Sequence, residues 1–214
     1  MSTILFSTTS PANDATGRVN GGQGLTPVFE PSIVELPGGG VRLIARPTVG
    51  RLVTTLSLDE GETWQMIRPT TLPSSQAPGT LTSLPAPNHL LLVWNQHIPE
   101  EILKGYRRNR LTAAISKDGG HSWENFKPLE LSAGVPDIDR LQAAYPISPF
   151  RCEKWVGYLP DSYVQTAYPH VDVIDDKVFL RYYRRLPVEP VTGDIATMPV
   201  HYMMRVYPLR WFYE

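Results

Sequence analysis

Residues 57–64 read SLDEGETW and residues 116–123 read SKDGGHSW, and these two octapeptides of one pattern decide the fold of the chain. Each begins with a serine, has an aspartate two positions later and a glycine two positions after that, and ends with a hydroxyl residue and a tryptophan. We expect the aspartate to accept hydrogen bonds from nearby backbone N–H groups and the glycine to take a conformation closed to residues with a Cβ atom. The recurrence of the pattern indicates an internal repeat.

The segments around the octapeptides predict short antiparallel strands joined by tight turns. The 21 prolines and 16 glycines are spread along the chain and separate short apolar segments, which favours strands over helices. No segment has a sustained apolar 3.6-residue period bounded by helix caps, so helix is expected to be scarce. The exception is a single helical turn predicted at residues 99–106. The predicted strands are residues 32–36, 41–45, 52–57, 80–84, 90–94, 111–116, 171–174 and 178–183.

Each octapeptide follows the third strand of its group, so one repeat is interpreted as one four-stranded antiparallel sheet. Sheets of this kind protect their edges without helices when they pack radially as the blades of a propeller. The sequence therefore predicts an all-β, partial propeller of about three blades. The predicted division of the chain is an irregular N-terminal segment at 1–28, blades at 29–68, 79–128 and 167–213, and an insertion at 131–165.

The composition narrows the classes of partner. A formal net charge of −1 argues against a nucleic-acid-binding protein, which usually has a surplus of lysine and arginine on one face. The 42% of hydrophobic residues are enough to form a folded core. No apolar stretch approaches the ~18 residues needed to cross a bilayer, so no membrane association is expected. No signal peptide is visible, which predicts a cytoplasmic location if the chain is complete. The single cysteine, Cys152, excludes an intrachain disulfide, and the histidines have no zinc-ligand spacing, so neither metal nor cofactor is expected.

The octapeptides and the strands that precede them resemble the Asp-box, or BNR, repeats of the sialidase superfamily, and the resemblance extends from Phe29 to the end of the chain. It implies the C-terminal portion of a six-bladed β-propeller. It also implies a glycoside hydrolase of the exo-α-sialidase type, whose partner is a glycan with an acidic terminal sugar.

The resemblance assigns roles to two residues of the first blade. The run EPSIVELPGGGVRLIAR, residues 30–46, is similar to a family stretch in which a glutamate opens one strand and an arginine closes the next. By this resemblance Glu30 is the base toward a tyrosine nucleophile, and Arg46 is one of the arginines that bind the substrate carboxylate.

Two further roles fall on the later blades. The run NRLTAAISKDGGHSW, residues 109–123, resembles the family segment that carries another carboxylate-binding arginine, which is Arg110 here, with Arg107 and Arg108 as neighbouring candidates. The run TAYPHVDVIDDKVFLRYY, residues 166–183, resembles the segment of the nucleophilic tyrosine. That role falls on Tyr168, with Tyr145 as a second candidate because it lies in a similar Ala-Tyr-Pro string.

These residue types suit one another chemically. Guanidinium groups bind carboxylates through paired, charge-assisted hydrogen bonds. A neutral tyrosine is not repelled by an anionic sugar. Because the ordinary pKa of tyrosine is about 10, a neighbouring base must accept its proton before it becomes a good nucleophile. The family's remaining carboxylate-binding arginine and its acid/base aspartate have no match before Phe29, so the isolated chain is expected to be inactive. Two different functions also fit the sequence: a non-catalytic Asp-box propeller that binds glycans or proteins, and a chain that self-associates through open blade faces.

Overall fold

The computed structural model describes residues 28–103, 106, 108–132, 135, 164–186 and 199–214, which form three antiparallel sheets in chain order. The first sheet contains β1 (Phe29–Leu36), β2 (Gly40–Arg46), β3 (Arg51–Ser57) and β4 (Arg68–Pro73). The second contains β5 (Thr80–Ser83), β6 (Leu90–Trp94), β7 (Arg110–Ser116) and β8 (Glu124–Leu131). The third contains β9 (Gln165–Ile174), β10 (Lys177–Arg185) and β11 (Val200–Pro208). Helix α1 (Pro99–Leu103) lies between β6 and β7, and a 3-10 helix (Leu209–Phe212) follows β11.

The predicted all-β architecture is confirmed, and the predicted helical turn is found as α1. Two sheets have the expected four strands, whereas the third has three strands among the residues that the structure describes. The predicted N-terminal segment, 1–28, and the predicted insertion, 131–165, lie almost entirely outside the described residues.

Both octapeptides form the turn between the third and fourth strands of their sheet, and the two turns share one hydrogen-bond pattern. Asp59 accepts a bond from the N–H of Thr63 at 2.8 Å and one from its hydroxyl at 2.6 Å. Asp118 accepts the same two bonds from Ser122, at 2.9 and 2.6 Å. The bonds from Thr63 lower the pKa of Asp59 to about 2. Burial opposes the shift at Asp118, but the bonds from Ser122 still lower its pKa to about 2.

The glycines of the two turns show why this position excludes other residues. Gly61 has a φ of 91° and Gly120 a φ of 89°, a left-handed conformation that L side chains rarely adopt. Their N–H groups each donate to the first serine of the octapeptide at 2.8 Å. The sequence pattern therefore corresponds to a compact turn whose polar groups bond to one another.

Consecutive sheets pack face to face through apolar side chains. The first and second sheets meet through Ile44, Leu52, Leu72, Leu81, Leu90, Leu92 and Trp94, all buried. The second and third sheets meet through Leu91, Val93, Leu111, Ile115, Val171, Val178, Leu180 and Tyr182. This face-to-face packing of successive antiparallel sheets is the arrangement of propeller blades.

The first strands of the first two sheets lie side by side and run in the same direction. The N–H of Leu81 in β5 donates to the hydroxyl of Ser32 in β1 at 2.9 Å. Further along both strands, the hydroxyl of Ser83 donates to the carbonyl of Glu35 at 3.3 Å. Because residue numbers rise together along β1 and β5, their N-terminal ends lie at the same end of the two sheets.

The same relation holds between β5 and β9. The hydroxyl of Thr80 donates to the carbonyl of Pro169, and the hydroxyl of Thr82 donates to the carbonyl of Val171 at 3.5 Å. The three first strands are therefore parallel neighbours in the order β1, β5, β9. Residues at their N-terminal ends gather at one end of the blades, here called the N-terminal rim, comprising the starts of β1, β5 and β9.

The outer strand of the third sheet exposes a row of apolar side chains. Tyr202, Met204 and Val206 alternate along β11 and are 89%, 63% and 51% exposed. They lie on the face of β11 opposite Met203 and Tyr207, which pack against the core. The predicted self-association would use a surface of this kind, and it stays a prediction.

Candidate functional site

Glu30 and Tyr168 occupy matching irregularities at the N-terminal rim. In β1 the register slips so that Glu30 and the proline after it lie opposite Ala45 alone. In β9 the register slips in the same way, so that Tyr168 and the proline after it lie opposite Tyr182 alone. Two residues opposite one make a β-bulge, and a proline fits there because it lacks the N–H that a regular ladder needs.

Both bulges hold their first residue in a left-handed backbone conformation. The φ angle is 49° at Glu30 and 52° at Tyr168, and among the described strand residues only Asn125 in β8 shares this property. Such backbone strain costs about 1–3 kcal/mol and persists at functional sites, where it directs a side chain. The three parallel first strands place Glu30 and Tyr168 at the same rim, one on each side of β5.

Glu30 and Arg46 form an ion pair at this rim. The Nε of Arg46 donates to Glu30 Oε2 at 2.6 Å, and its Nη1 donates to the carbonyl of Gln76 at 3.3 Å. The guanidinium also lies over the ring of Phe29, with Cζ 5.4 Å from the ring centroid. The side chain of Arg46 is 14% exposed and that of Glu30 is 39% exposed. The predicted base and the predicted carboxylate-binding arginine are thus in contact and partly accessible.

Tyr168 projects from the second bulge and is 47% exposed. Its ring lies 5.3 Å from that of Tyr183, with an angle of 37° between the ring planes. The Cζ atom of Arg108 lies 5.1 Å from the centroid of the Tyr168 ring. Arg108, one of the two candidates adjacent to Arg110 in the sequence, therefore lies beside the predicted nucleophile.

Arg110, the second arginine predicted to bind the substrate carboxylate, lies in the interior and not at the rim. Its side chain is fully buried, and its Nη2 and Nη1 donate to the two carboxylate oxygens of Glu101 at 2.7 and 2.9 Å. Nη1 also donates to the carbonyl of Gln96 at 2.7 Å. A guanidinium that is enclosed and paired in this way is not accessible to a substrate carboxylate. Arg107 and Tyr145, the remaining candidates from the sequence, lie outside the described residues.

His97 extends the buried network around Glu101. The N–H of Asn109 donates to His97 Nε2 at 3.2 Å, so Nδ1 carries the proton of a neutral imidazole and faces Glu101 Oε2 at 3.1 Å. Burial lowers the pKa of His97, which agrees with this neutral form. Burial opposes ionisation of Glu101, but bonds from His97 and Arg110 lower its pKa to about 2. The sequence signal for this network is the four-residue spacing of His97 and Glu101 around the start of α1.

Two features are absent from the part of the chain that the structure describes. Within it, no group of three or more histidine, cysteine, aspartate or glutamate side chains is placed to hold a metal ion. Over the same residues, no helix has the length and apolar character required to cross a membrane.

Similarity to solved structures is at the level of the fold. An α-L-arabinanase from Penicillium chrysogenum, complexed with arabinobiose, matches with a TM-score of 0.51 and 15% identity over 85% of this chain and 46% of that chain. The α-L-arabinofuranosidase Arb93A from Fusarium graminearum matches with a TM-score of 0.50 and 15% identity, over 85% of this chain and 48% of that chain. A Trypanosoma rangeli sialidase mutant has a TM-score of 0.48 and 13% identity, over 87% of this chain and 23% of that chain, and supports no argument at that score.

The chain thus spans about half the length of the arabinanase and the arabinofuranosidase, and it shares their β-propeller fold. No curated protein is detectably similar in sequence. The profile of the BNR repeat-like domain family, however, matches residues 2–178, which include the first two sheets, both octapeptide turns and Tyr168. The chain is therefore a member of the BNR repeat-like domain family.

Proposed function

We propose that this chain supplies part of the active site of an exo-acting glycoside hydrolase that removes an acidic terminal sugar. The observation that carries the proposal is the pair of matching bulges, which hold Glu30 and Tyr168 with φ angles of 49° and 52° at one rim of three parallel strands. The glycoside hydrolase fold of the structural neighbours supports the reaction class. The acidic sugar is inferred from Tyr168 and Arg46 at this rim.

The proposed reaction uses Tyr168 as the nucleophile. Its phenol oxygen bonds to the anomeric carbon while the bond from that carbon to the leaving oxygen breaks, and Glu30 accepts the phenol proton. Water then attacks the anomeric carbon as the bond to the tyrosine oxygen breaks. Glu30 returns its proton to the phenol oxygen, and the proton that the water loses goes to the group that had protonated the leaving oxygen. We assign no residue of this chain as the acid that protonates the leaving oxygen.

The charges at the rim favour an anionic sugar over a neutral one. Arg46 is partly accessible, and its guanidinium geometry suits a carboxylate. A substrate carboxylate would compete with Glu30 for Arg46, and its binding would free the Glu30 carboxylate to act as a base.

The test is an assay of the intact gene product with fluorogenic aryl glycosides of an acidic sugar, sialic acid, and a neutral one, arabinofuranose. We expect hydrolysis of the sialoside and a fall in kcat of about 10²-fold or more in Tyr168→Phe, because phenylalanine cannot form the covalent bond. The matched control is Tyr202→Phe, which removes the hydroxyl of a tyrosine that is 89% exposed on β11.

The outcomes separate the parts of the proposal. Equal turnover by the parent protein and Tyr168→Phe would reject the nucleophile. Hydrolysis of the arabinofuranoside without the sialoside would reject the acidic sugar but keep the hydrolase. No turnover of any glycoside by the intact protein would reject the enzyme.

A second candidate function is a non-catalytic propeller that binds glycans. The observation in its favour is that both arginines predicted to bind substrate contact carboxylates of their own chain, Arg46 with Glu30 and Arg110 with Glu101. This function predicts glycan binding in calorimetry without release of sugar. If only the aromatic ring of Tyr168 contacts the glycan, Tyr168→Phe should bind the glycan as tightly as the parent protein does.

A further inference from the structure

We propose that Arg108 is a positioning residue that fixes the orientation of the Tyr168 phenol at the N-terminal rim. The inference rests on the proposed function, because the phenol must approach an anomeric carbon along one direction. Its structural basis is the guanidinium of Arg108, whose Cζ lies 5.1 Å from the centroid of the Tyr168 ring. By sequence, Arg108 was only a neighbouring candidate for the carboxylate-binding role of Arg110.

The backbone of Arg108 is fixed to the strand that carries Tyr168. Its carbonyl oxygen accepts the N–H of Thr166 at 2.8 Å and the hydroxyl of the same residue at 3.2 Å. Thr166 lies two residues before Tyr168 in β9. A displacement of the Arg108 backbone from β9 would therefore break two hydrogen bonds.

A buried amide supports this junction. Asn95 follows β6, is fully buried, and donates through Nδ2 to the carbonyl of Arg110 at 3.0 Å. The same Nδ2 lies 3.2 Å from the carbonyl and 3.1 Å from the hydroxyl of Thr166. Asn95 thus ties the start of β7 to the start of β9, next to the backbone bonds between Arg108 and Thr166.

The ring of Tyr168 needs such support because it is 47% exposed on a bulged strand. One contact is with Tyr183 in the adjacent strand, at 5.3 Å between centroids, and a second is with Arg108. A planar guanidinium packs against an aromatic face better than an ammonium does, and its charge attracts the electron-rich face of the ring. The same charge favours the negative charge that develops on the phenol oxygen as Glu30 accepts its proton.

The experiment compares Arg108→Gln, Arg108→Lys and Arg181→Gln in the intact protein. Arg181 is the matched control because it is an arginine of the same sheet as Tyr168, 54% exposed and paired with Asp172 at 2.7 Å. Two properties are measured: kcat and KM on the fluorogenic sialoside, and the ring resonances of ¹³C-labelled tyrosine in NMR. The Tyr168 resonance is identified by its loss in Tyr168→Phe.

We expect Arg108→Gln to lower kcat by about tenfold or more with KM within twofold, since small displacements of a reacting group cost up to ~10²-fold. The Tyr168 resonance should shift in the same variant. Arg108→Lys should recover part of kcat because it keeps the charge but loses the planar contact. Arg181→Gln should change neither property.

An unchanged kcat or an unmoved Tyr168 resonance in Arg108→Gln would overturn the proposal. A higher KM with unchanged kcat would also overturn it, because Arg108 would then bind substrate instead of positioning the tyrosine. If the parent protein hydrolyses no glycoside, the proposed function fails by itself, and the NMR comparison still decides whether Arg108 orients Tyr168. If Arg108→Gln does not fold, the same comparisons are made with Arg108→Lys, in which an unmoved resonance or an unchanged kcat overturns the proposal.

Discussion

Two glutamate–arginine pairs of this chain have the same chemistry and opposite surroundings. Glu30 and Arg46 meet at 2.6 Å at the N-terminal rim, where their side chains are 39% and 14% exposed. Glu101 and Arg110 meet at 2.7 Å in the interior, where their side chains are 7% and 0% exposed. By sequence, both arginines were predicted to have one role, binding a substrate carboxylate.

The difference teaches that accessibility decides what an arginine near a motif does. An exposed pair gains little net free energy because water competes for both charges, so its members remain available to a ligand. A buried pair must stay intact, because separating it leaves a charge without water or partner. We therefore interpret the second pair as a structural element, whereas the first pair remains available to a ligand.

Breaking the buried pair is expected to have the largest effect on stability. Arg110→Met removes the guanidinium and leaves Glu101 enclosed without its main partner, which should lower the free energy of unfolding by about 3–5 kcal/mol. Urea denaturation followed by tryptophan fluorescence measures the change. A loss below about 1 kcal/mol, typical of an exposed pair, would contradict the comparison.

The double variant Glu101→Leu plus Arg110→Met is the control for that measurement. Replacing both charges with apolar groups removes the uncompensated charge, so much of the lost stability should return. A double variant as unstable as the sum of its two single variants would mean that the two residues act independently. The buried glutamate and arginine could then no longer be compared with the exposed pair as one interacting unit.

The fold was predictable from the sequence because its determinants are local. In each octapeptide, the serine, aspartate, glycine and hydroxyl residue bond to one another within a few positions, so their spacing alone encodes the turn. Strands such as β6 and β7 are short apolar segments between turn residues, and the predicted ranges 90–94 and 111–116 agree closely with the observed Leu90–Trp94 and Arg110–Ser116. The pairing of strands within each sheet follows from these short connections.

The candidate site was less predictable because it depends on contacts between distant segments. The sequence motif does not distinguish Arg110 from Arg108. Only the contact between α1 and the start of β7 shows that Arg110 faces Glu101. The bulges at Glu30 and Tyr168 depend on register with neighbouring strands, which no local pattern specifies beyond the proline that follows each residue. Glu101 and His97 were missed because two polar residues four positions apart are also common on exposed helices.

The pH dependence of the free energy of unfolding tests the buried network, with an expected effect smaller than that of Arg110→Met. Burial lowers the pKa of His97 below its ordinary value of 6.5, so below that pH the unfolded chain binds a proton that the folded chain excludes. The stability that this histidine contributes is present above pH ~6.5 and is lost as the pH falls, with a slope of at most about 1.4 kcal/mol per pH unit. Glu101, whose pKa is lowered from 4.5 to about 2, adds a second loss as the pH falls from 4.5 toward 2.

Urea denaturation at a series of pH values between 7 and 5 checks the histidine part of this expectation, with the parent protein and His97→Gln compared side by side. Glutamine has an N–H donor for Glu101 and a carbonyl acceptor for Asn109, but it does not titrate. The slope between pH 6.5 and 5 should therefore shrink in the variant. Equal slopes in the two proteins would show that another group causes the dependence.

The exposed pair should give the smallest change in stability. Arg46→Met should alter the free energy of unfolding by no more than about 1 kcal/mol, because the pair is partly exposed to water and the methionine keeps an apolar contact with Phe29. The same variant should raise KM for an acidic glycoside if the rim binds a carboxylate. A stability loss as large as that of Arg110→Met would mean that accessibility does not separate the two pairs, and Arg46 would then be as structural as Arg110.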